Sequence, residues 1–401
     1  MKTLSQTIRN LSKEQFLQLK EYCHRSNSLY NCALYEIKKY YEETGKFLRY
    51  ESLYHVLKAN YHYIQLPRKI ACQILKLAEQ NYKSFFALIK TDSVARPPKY
   101  KKKGDTFCLV LPNQQITYSS KRKELKITKK IKLPFTYEIQ GAIKQAIITY
   151  KHDRFKIFIQ YEEKETIKPE TIPENWLSVD FGLNNLATCA SNVGQSFIIN
   201  GKPLKSYNKY YNKRKAIAQS ELQIKNNKYW SKFLSTLTYN RDNWINNYLN
   251  QSVSLIASYC VSNKIGTVVI GYNKEWKQEI NIGKVNNQSF VGIPHYKFKQ
   301  KLESKLESFG IFVIEQEESY TSKCSSLDNE PIEKHETYLG KRIKRGLFKS
   351  SNNININADV NGALNIFRKY SQTDFTSNEI EAFRVSPVKI NPIYKIIYSH
   401  I

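Results

Sequence analysis

The feature that most constrains the fold is a series of three short apolar segments in the middle of the chain. They cover Leu177–Phe181, Leu186–Ala190 and Ser196–Ile199. Gly182 and the Asn192–Gly194 segment separate them, and glycine and asparagine are residues that tight turns favour. Short apolar runs bounded by turn residues predict strands, so we expect a three-stranded antiparallel meander.

The chain after this meander alternates between helical and strand-like patterns. The patterns predict helices over Lys205–Asn227, Tyr229–Asn263 and His295–Phe309, strands over Thr267–Ile270 and Ile311–Ile314, and a last helix from about Ala358. Three antiparallel strands followed by further helices and strands are the order of an RNase H-like α/β fold. We expect this domain over residues 169–370 and a C-terminal tail over residues 371–401.

The N-terminal part of the chain predicts a β-domain that is interrupted by helices. Helical spacing of apolar residues gives way to the basic linker Arg96–Gly104, which leads into alternating segments. Two of these, Ala142–Tyr150 and Phe155–Tyr161, predict a hairpin. We expect residues 1–11 and 95–168 to form a β-barrel and residues 12–94 to form an inserted helical bundle.

The charge balance indicates a polyanionic partner. Lys and Arg number 63 against 35 Asp and Glu, which gives a net charge of +28. Small soluble domains typically carry only ~2–8 net charges, so solubility alone does not require this excess. The sequence has no apolar run near the ~18 residues that span a bilayer, and no apolar signal region. We expect no membrane partner and a cytoplasmic, nucleoid-associated protein.

Clustered basic residues are the best candidates for nucleic-acid contacts. Lys and Arg neutralise phosphates, and the neighbouring Tyr rings can stack on unpaired bases. The candidates are Arg96, Lys99, Lys101, Lys102, Lys103, Lys121, Arg122, Lys123, Lys213, Arg214, Lys341, Arg342, Lys344 and Arg345.

Two acidic residues occupy positions suited to metal-dependent chemistry. Asp180 ends the first predicted meander strand, and Asp359 begins the last predicted helix. An isolated Asp at either position is more often a turn or cap residue. As a pair, they meet a need of two-metal phosphodiester hydrolysis, in which carboxylates from distant elements bind two cations. We expect Mg²⁺ or Mn²⁺, since both prefer oxygen ligands.

Three stretches give a specific resemblance to a known family. They are Val179–Thr188 (VDFGLNNLAT), Glu318–Cys324 (ESYTSKC) and Asn357–Ile366 (NADVNGALNI). In this order they resemble the RuvC-type nuclease domain of the TnpB family, the OrfB-type accessory transposases of insertion sequences and relatives of type V CRISPR effectors. Residues 96–103 resemble the entry into that family's wedge-like β-barrel, and residues 12–94 resemble its helical recognition module.

The resemblance implies an RNA-guided DNA endonuclease that takes part in DNA transposition and recombination. Its partners would be a guide RNA from the transposon end and a double-stranded DNA target with a short adjacent motif. Asp180 and Asp359 would bind Mg²⁺ or Mn²⁺ and cut the target. The protein would act as a monomer or a dimer.

The chain departs from the family at the second catalytic carboxylate. The family has a Glu directly after the fourth strand, where this chain has Gly271, and Glu275 and Glu279 lie farther on. We expect Glu318 to supply the missing carboxylate and to bind metal, with Glu317 as the second choice, because adjacent strands bring side chains close together. The alternative is that these glutamates are a solvated strand end.

A second departure concerns the zinc ribbon that the family often has, here degenerate near residues 320–356. A structural zinc needs four ligands, and the region offers Cys324 and at most His335. No two of the seven cysteines form a CxxC pair, so we expect neither zinc nor a disulfide framework.

Two further functional hypotheses stay open. Gly271 motivates a nuclease-dead, RNA-guided DNA-binding protein that acts like a repressor. A DNA-joining transposase is a weaker alternative, because no strand-transfer motif stands out. A nucleotide-driven motor is disfavoured, since the sequence has no GxxxxGK phosphate loop.

Overall fold

The computed structural model divides the chain into two compact units, Met1–Thr166 and Ile167–Ile401. The residues that it describes are 1–128, 131–163, 168–273, 292–393 and 396–398. No helix in these ranges is long and apolar enough to cross a membrane.

The first unit contains a group of helices near its N-terminus. Helices α1–α4 cover Lys13–Thr44, Tyr50–Leu57, Tyr61–Ile64 and Arg68–Leu88. Helix α1 begins with a capping box, in which the Gln15 amide donates to Ser12 Oγ over 3.1 Å and the Ser12 amide donates to Gln15 Oε1 over 3.1 Å. Each partner satisfies an amide that the first helical turn leaves free. Leu34 and Ile74 pack between α1 and α4 in an apolar core.

The strands of the first unit hydrogen-bond as two antiparallel sheets. Strands β1–β7 cover Lys2–Thr7, Leu109–Pro112, Thr117–Ser119, Glu124–Lys126, Lys132–Pro134, Gly141–Lys151 and Arg154–Glu163. One sheet has the order β1-β7-β6-β2, and the other has the order β3-β4-β5. The predicted hairpin is confirmed as β6–β7, where His152 and Asp153 take positive φ angles of 53° and 58°. The closed barrel stays a prediction.

The second unit is built on a seven-stranded sheet of order β12-β11-β8-β9-β10-β16-β17. These strands cover Ile172–Phe181 (β8), Asn185–Ser191 (β9), Phe197–Asn200 (β10), Ile265–Gly271 (β11), Phe312–Gln316 (β12), Val388–Asn391 (β16) and Ile396–Tyr398 (β17). Strands β8, β9 and β10 form the predicted antiparallel meander, whereas β11 is parallel to both β8 and β12. The carboxyl ends of β8, β11 and β12 therefore lie at one edge of the sheet.

Helices cover both faces of this sheet. Helices α5–α9 cover Lys202–Asn226, Lys232–Ser262, His295–Glu307, Ala358–Ser371 and Ser377–Phe383. In β8, Leu177 and Val179 belong to the core with α6 and α7, whereas Trp176 belongs to the core with α8. Side chains alternate between the faces of a strand, so Asp180 lies on the α8 face.

The expectation of a C-terminal tail over residues 371–401 is wrong. Strand β16 pairs in parallel with β10, and Phe375 and Phe383 pack against Trp176 in an aromatic cluster. The Trp176 ring also stacks on Phe367 with centroids 3.7 Å apart. Such a short strand shows little periodicity, and its pairing partner is far away in the sequence, so no local pattern revealed it.

The basic segment Lys341–Lys349 is a hairpin in a third small sheet. Strands β13, β14 and β15 cover Lys341–Lys344, Leu347–Lys349 and Asn355–Asn357. Phe348 is 1% exposed and anchors the hairpin in the core beneath α8.

We predict that Leu249→Ala lowers the free energy of unfolding by about 2–5 kcal/mol, because it leaves a cavity between α6 and the sheet. Leu249 is fully buried in that core. Urea-induced unfolding measures the change, and Ile224→Ala is the control, since Ile224 on α5 is 83% exposed. Equal effects of the two substitutions would contradict this core assignment.

Candidate active site

Asp180 lies at the carboxyl end of β8, where α8 approaches the sheet closely. A Cβ atom on Gly362 of α8 would stand 3.0 Å from Asp180 Oδ2. The approach is close because residue 362 has no side chain. The carboxylate is partly buried between the strand end and the helix.

Asp359 lies in the first turn of α8, whose N-cap is Asn357. Asn357 Oδ1 accepts hydrogen bonds from the amides of Asp359, at 3.0 Å, and Val360, at 3.2 Å. Both carboxylate oxygens of Asp359 have partners. Asn185 Nδ2 donates to Oδ2 over 2.5 Å, and Arg342 Nη2 contacts Oδ1 at 3.1 Å.

Glu318 follows the end of β12 and lies beside the end of β11. A Cβ atom on Gly271 would stand 2.8 Å from Glu318 Oε2, so the carboxylate fills the space next to this glycine. Asn273 holds Glu318 from both sides. Its Nδ2 donates to Glu318 Oε1, and its Oδ1 accepts from the Glu318 amide, both at 3.3 Å.

Asp180 lies close enough to Glu318 and to Asp359 for both carboxylates to repel it. Burial, then Glu318, then Asp359 raise the pKa of Asp180 well above its usual range, and Arg342 opposes this increase. Burial, then Glu317 raise the pKa of Glu318 to about 7. Asp180 is the carboxyl group whose pKa both of the others raise. A nearby cation would relieve this repulsion.

The three carboxylates are not arranged as a complete set of metal ligands. Among the described residues, no group of three or more His, Cys, Asp or Glu side chains is arranged to hold a metal ion as it stands. The contacts of Asp359 give one reason, since Arg342 and Asn185 engage its two oxygens. The donor set itself consists of carboxylate oxygens, which are the ligands that hard divalent cations prefer.

Glu317 has partners of its own outside the group of Asp180, Glu318 and Asp359. Lys369 Nζ lies 2.6 Å from Glu317 Oε2, and the Ser319 amide donates to Glu317 Oε1 over 2.7 Å. Burial raises the pKa of Glu317, but the contacts with Lys369 and Ser319 outweigh it and leave the pKa below its usual value. Glu318, rather than Glu317, stands with Asp180 and Asp359. Glu275 and Glu279 lie outside the described residues.

Two fully buried asparagines of α8 tie the Glu318 segment to the helix that carries Asp359. Asn365 Nδ2 donates to the carbonyl oxygens of Thr321, at 2.9 Å, and Cys324, at 2.7 Å. Asn361 Oδ1 accepts from the Ser326 amide at 2.9 Å. Thr321 Oγ1 in turn donates to the Glu318 carbonyl over 2.8 Å, so the segment is held along its length.

Other residues around the site were not predicted from the sequence. Lys389 Nζ donates to Asn185 Oδ1 over 3.1 Å, and burial, then Lys202, lower its pKa while Asp359 opposes this. Asn185 lies within the VDFGLNNLAT stretch, so the sequence motif could have indicated its place at the site. No sequence motif indicates Lys389, because only the pairing of β16 with β10 brings it to the site.

Backbone contacts surround Cys324 and His335, the candidate zinc ligands. Cys324 Sγ lies 3.7 Å from the Glu333 carbonyl oxygen, and His335 Nε2 lies 2.8 Å from the Pro331 carbonyl oxygen. The buried Glu330 carboxylate accepts from the amides of Ser325, at 2.6 Å, and Leu339, at 2.8 Å. These charge-assisted hydrogen bonds cross-link the loop.

The predicted nucleic-acid-binding residues are exposed in both units. In the first unit they form the segment of Arg96 and Lys99–Lys103 and the turn of Lys121–Lys123. In the second unit they lie on α5, at Lys213 and Arg214, and on the β13–β14 hairpin. On that hairpin, Lys341 pairs directly with Lys349 of β14. Like charges that face each other across a sheet destabilise it. The clustered positive charge of this hairpin therefore does not stabilise the fold, which indicates another role.

Two protein-family models match the chain, and both matches lie mainly within the second unit. Residues 158–277 match the family model OrfB_IS605, described as a probable transposase. Residues 295–366 match the model of the Cas12f1-like TNB domain. The predicted resemblance to the OrfB-type family is confirmed over these segments. No curated protein matches the sequence.

Solved structures with a similar fold include the protein of a Cas12f1–sgRNA–target DNA complex. It is 17% identical, with a TM-score of 0.59, and the alignment covers 88% of this chain and 83% of that chain. The mini RNA-guided endonuclease Cas_phi3 is 12% identical, with a TM-score of 0.46 and 92% of each chain covered. The first likeness shows a shared mixed α/β fold.

We predict that Asn365→Ala destabilises the second unit by about 1–3 kcal/mol, because the buried Thr321 carbonyl loses its donor, whereas the Cys324 carbonyl keeps a hydrogen bond from Asn361 Nδ2. Urea-induced unfolding measures the loss. Asn352→Ala, at an exposed position, is the control and is expected to stay within about 0.5 kcal/mol of the wild type. An Asn365→Ala protein as stable as this control would contradict the role of Asn365 as a clamp.

Proposed function

We propose that this protein is a TnpB-type, transposon-encoded, RNA-guided DNA endonuclease whose catalytic carboxylates are Asp180, Glu318 and Asp359. The observation that carries this proposal is the convergence of the three carboxylates. They come from β8, the end of β12 and α8, and two of them raise the pKa of the third. Proteins retain carboxylates that repel one another at functional sites, where a bound cation or substrate offsets the repulsion.

The strand order supports an RNase H-like, RuvC-type domain over residues 169–370. Numbered in chain order, the five strands that these residues contribute to the seven-stranded sheet run third, second, first, fourth and fifth across it. In open α/β sheets, ligands bind outside the carboxyl ends of the strands. Asp180 and Glu318 stand at that edge, and the first turn of α8 brings Asp359 to it.

The site fits Mg²⁺ or Mn²⁺ in the chemistry of its donors. When bound, two such cations activate a water molecule and stabilise the leaving oxygen of a phosphodiester. Asp180, Glu318 and Asp359 would hold the cations. Asn273 orients Glu318, Asn185 orients Asp359, and the clamp of Asn361 and Asn365 keeps the two carboxylate-bearing segments together.

We assign the role of the second catalytic carboxylate to Glu318. It would replace the family's glutamate, at whose position this chain has Gly271. Three contacts support this assignment. The Glu318 carboxylate lies against Gly271, it acts electrostatically on Asp180, and Asn273 holds it. Glu317, the second choice, is engaged by Lys369 instead.

The exposed basic residues supply the electrostatic attraction for two nucleic acids. A guide RNA from the transposon end would pair with one strand of a DNA target, and the protein would recognise a short motif beside it. A guide–target duplex is bound through its backbone and shape by a positively charged surface. We assign residues 1–11 and 95–168 to a wedge-like β-barrel and residues 12–94 to the helical recognition module.

We predict that the protein cuts a matching DNA target in the presence of its guide RNA and Mg²⁺. Asp180→Ala, Glu318→Gln and Asp359→Ala are each expected to lower the cleavage rate by more than about 100-fold, because even outer partners of a metal site contribute 10–100-fold. Glu317→Gln is the matched control and is expected to retain cutting. Gel-based cleavage and filter binding are measured together.

Two outcomes would contradict this assignment. Guided DNA binding without any metal-dependent cutting by the wild type would favour the repressor-like alternative that Gly271 motivates. Cutting that survives Glu318→Gln but not Glu317→Gln would move the second carboxylate to Glu317.

We further predict that Gly271→Ala lowers cleavage while leaving guide RNA binding unchanged. The added Cβ atom would clash with the Ile366 side chain of α8 and would stand 2.8 Å from Glu318 Oε2, so both side chains must shift. Thermal unfolding of the variant is the control, since it separates a loss of cleavage from a loss of folding. Wild-type cleavage by Gly271→Ala would show that the exact position of Glu318 is unimportant.

A further inference from the structure

One basic residue of the β13–β14 hairpin differs from the others in its contacts. Arg342 Nη2 lies 3.1 Å from Asp359 Oδ1, and the two side chains are 50% and 31% exposed. Arg342 also opposes the raised pKa of Asp180, so its charge reaches two of the three carboxylates. The guanidinium therefore stands within the candidate active site rather than on a remote surface.

The hairpin directs Arg342 toward this site. Arg342 pairs with Phe348 across the two strands, and directly opposed residues of antiparallel strands share a face. Phe348 is buried in the core of α8, so this face of the hairpin is the one turned to the helix that carries Asp359. The neighbouring Lys344 is exposed and lies beyond a register shift in the strand pairing.

The ion pair between Arg342 and Asp359 is one that both side chains can leave for other partners. An ion pair between half-exposed side chains is weak, since water solvates both partners. Asp359 Oδ1 is an oxygen that a divalent cation needs, and a guanidinium held on the same oxygen opposes the cation by repulsion. A guanidinium has several N–H donors in one plane, a geometry that matches phosphate oxygens.

We propose that Arg342 is a catalytic residue that exchanges Asp359 for a phosphate oxygen of the DNA strand when that strand enters the active site. This inference rests on the proposed nuclease function. Before the strand enters, Arg342 neutralises Asp359 and competes with metal for it. With the strand in place, Arg342 binds the phosphate and releases Asp359, so metal binding and DNA entry favour each other.

The test compares Arg342→Gln with Lys334→Gln, which removes one positive charge from an exposed residue outside the candidate nucleic-acid contacts. Mn²⁺ binding to the full chain without nucleic acid is measured by isothermal titration calorimetry. We expect Arg342→Gln to bind Mn²⁺ about two- to fivefold more tightly, because it removes a competing ion pair. Lys334→Gln is expected to bind like the wild type.

DNA cleavage is then measured at saturating Mg²⁺ with the guide RNA bound. We expect Arg342→Gln to cut about 100-fold more slowly despite its tighter metal binding, because a donor to the reacting phosphate is lost. Lys334→Gln is expected to lose less than about threefold under these conditions, and Arg342→Lys to retain an intermediate rate. Thermal unfolding checks that all three variants are folded.

The outcomes separate this inference from the function on which it rests. Unchanged or weaker Mn²⁺ binding by Arg342→Gln, or cleavage equal to that of Lys334→Gln, overturns the role of Arg342 alone. Asp359→Ala is included because it removes the shared ligand. If its Mn²⁺ binding equals that of the wild type, the proposed catalytic centre fails, and the role of Arg342 fails with it.

Discussion

Repulsion among Asp180, Glu318 and Asp359 is the constraint around which the second unit is organised. Carboxylates do not gather in partly buried surroundings unless the fold holds them there. The parallel pairing of β11 with its neighbours brings the first two to one edge of the sheet. The N-cap of α8 directs the third to the same edge, and the buried asparagines of α8 connect it to the Glu318 segment.

The contacts around Asp359 join remote parts of the chain. Asn185 from the meander, Arg342 from the small hairpin and, through Asn185, Lys389 from β16 all meet there. Two of these partners are cations that offset the negative charge of the cluster. The C-terminal strands and the aromatic cluster on Trp176 therefore support the site as well as the fold.

The secondary-structure elements differ in how well the sequence alone predicts them. The meander and the β6–β7 hairpin follow from patterns within a few residues, so the sequence predicted them with small errors in their ends. Strand β16 depends on pairing with β10, almost two hundred residues earlier. A single short apolar segment carries too little periodicity to reveal such a partner.

The sequence by itself determined the charge of the chain, the order of its elements and the identity of Asp180 and Asp359 as candidates, because these depend on composition and local spacing. Only the tertiary structure distinguished Glu318 from Glu317. The two are adjacent in sequence, and their difference arises from which side of the strand end each carboxylate occupies. Glu318 lies against Gly271, whereas Glu317 contacts Lys369. The position of Arg342 on Asp359 was likewise a result of folding, since it requires a hairpin and a helix start to meet.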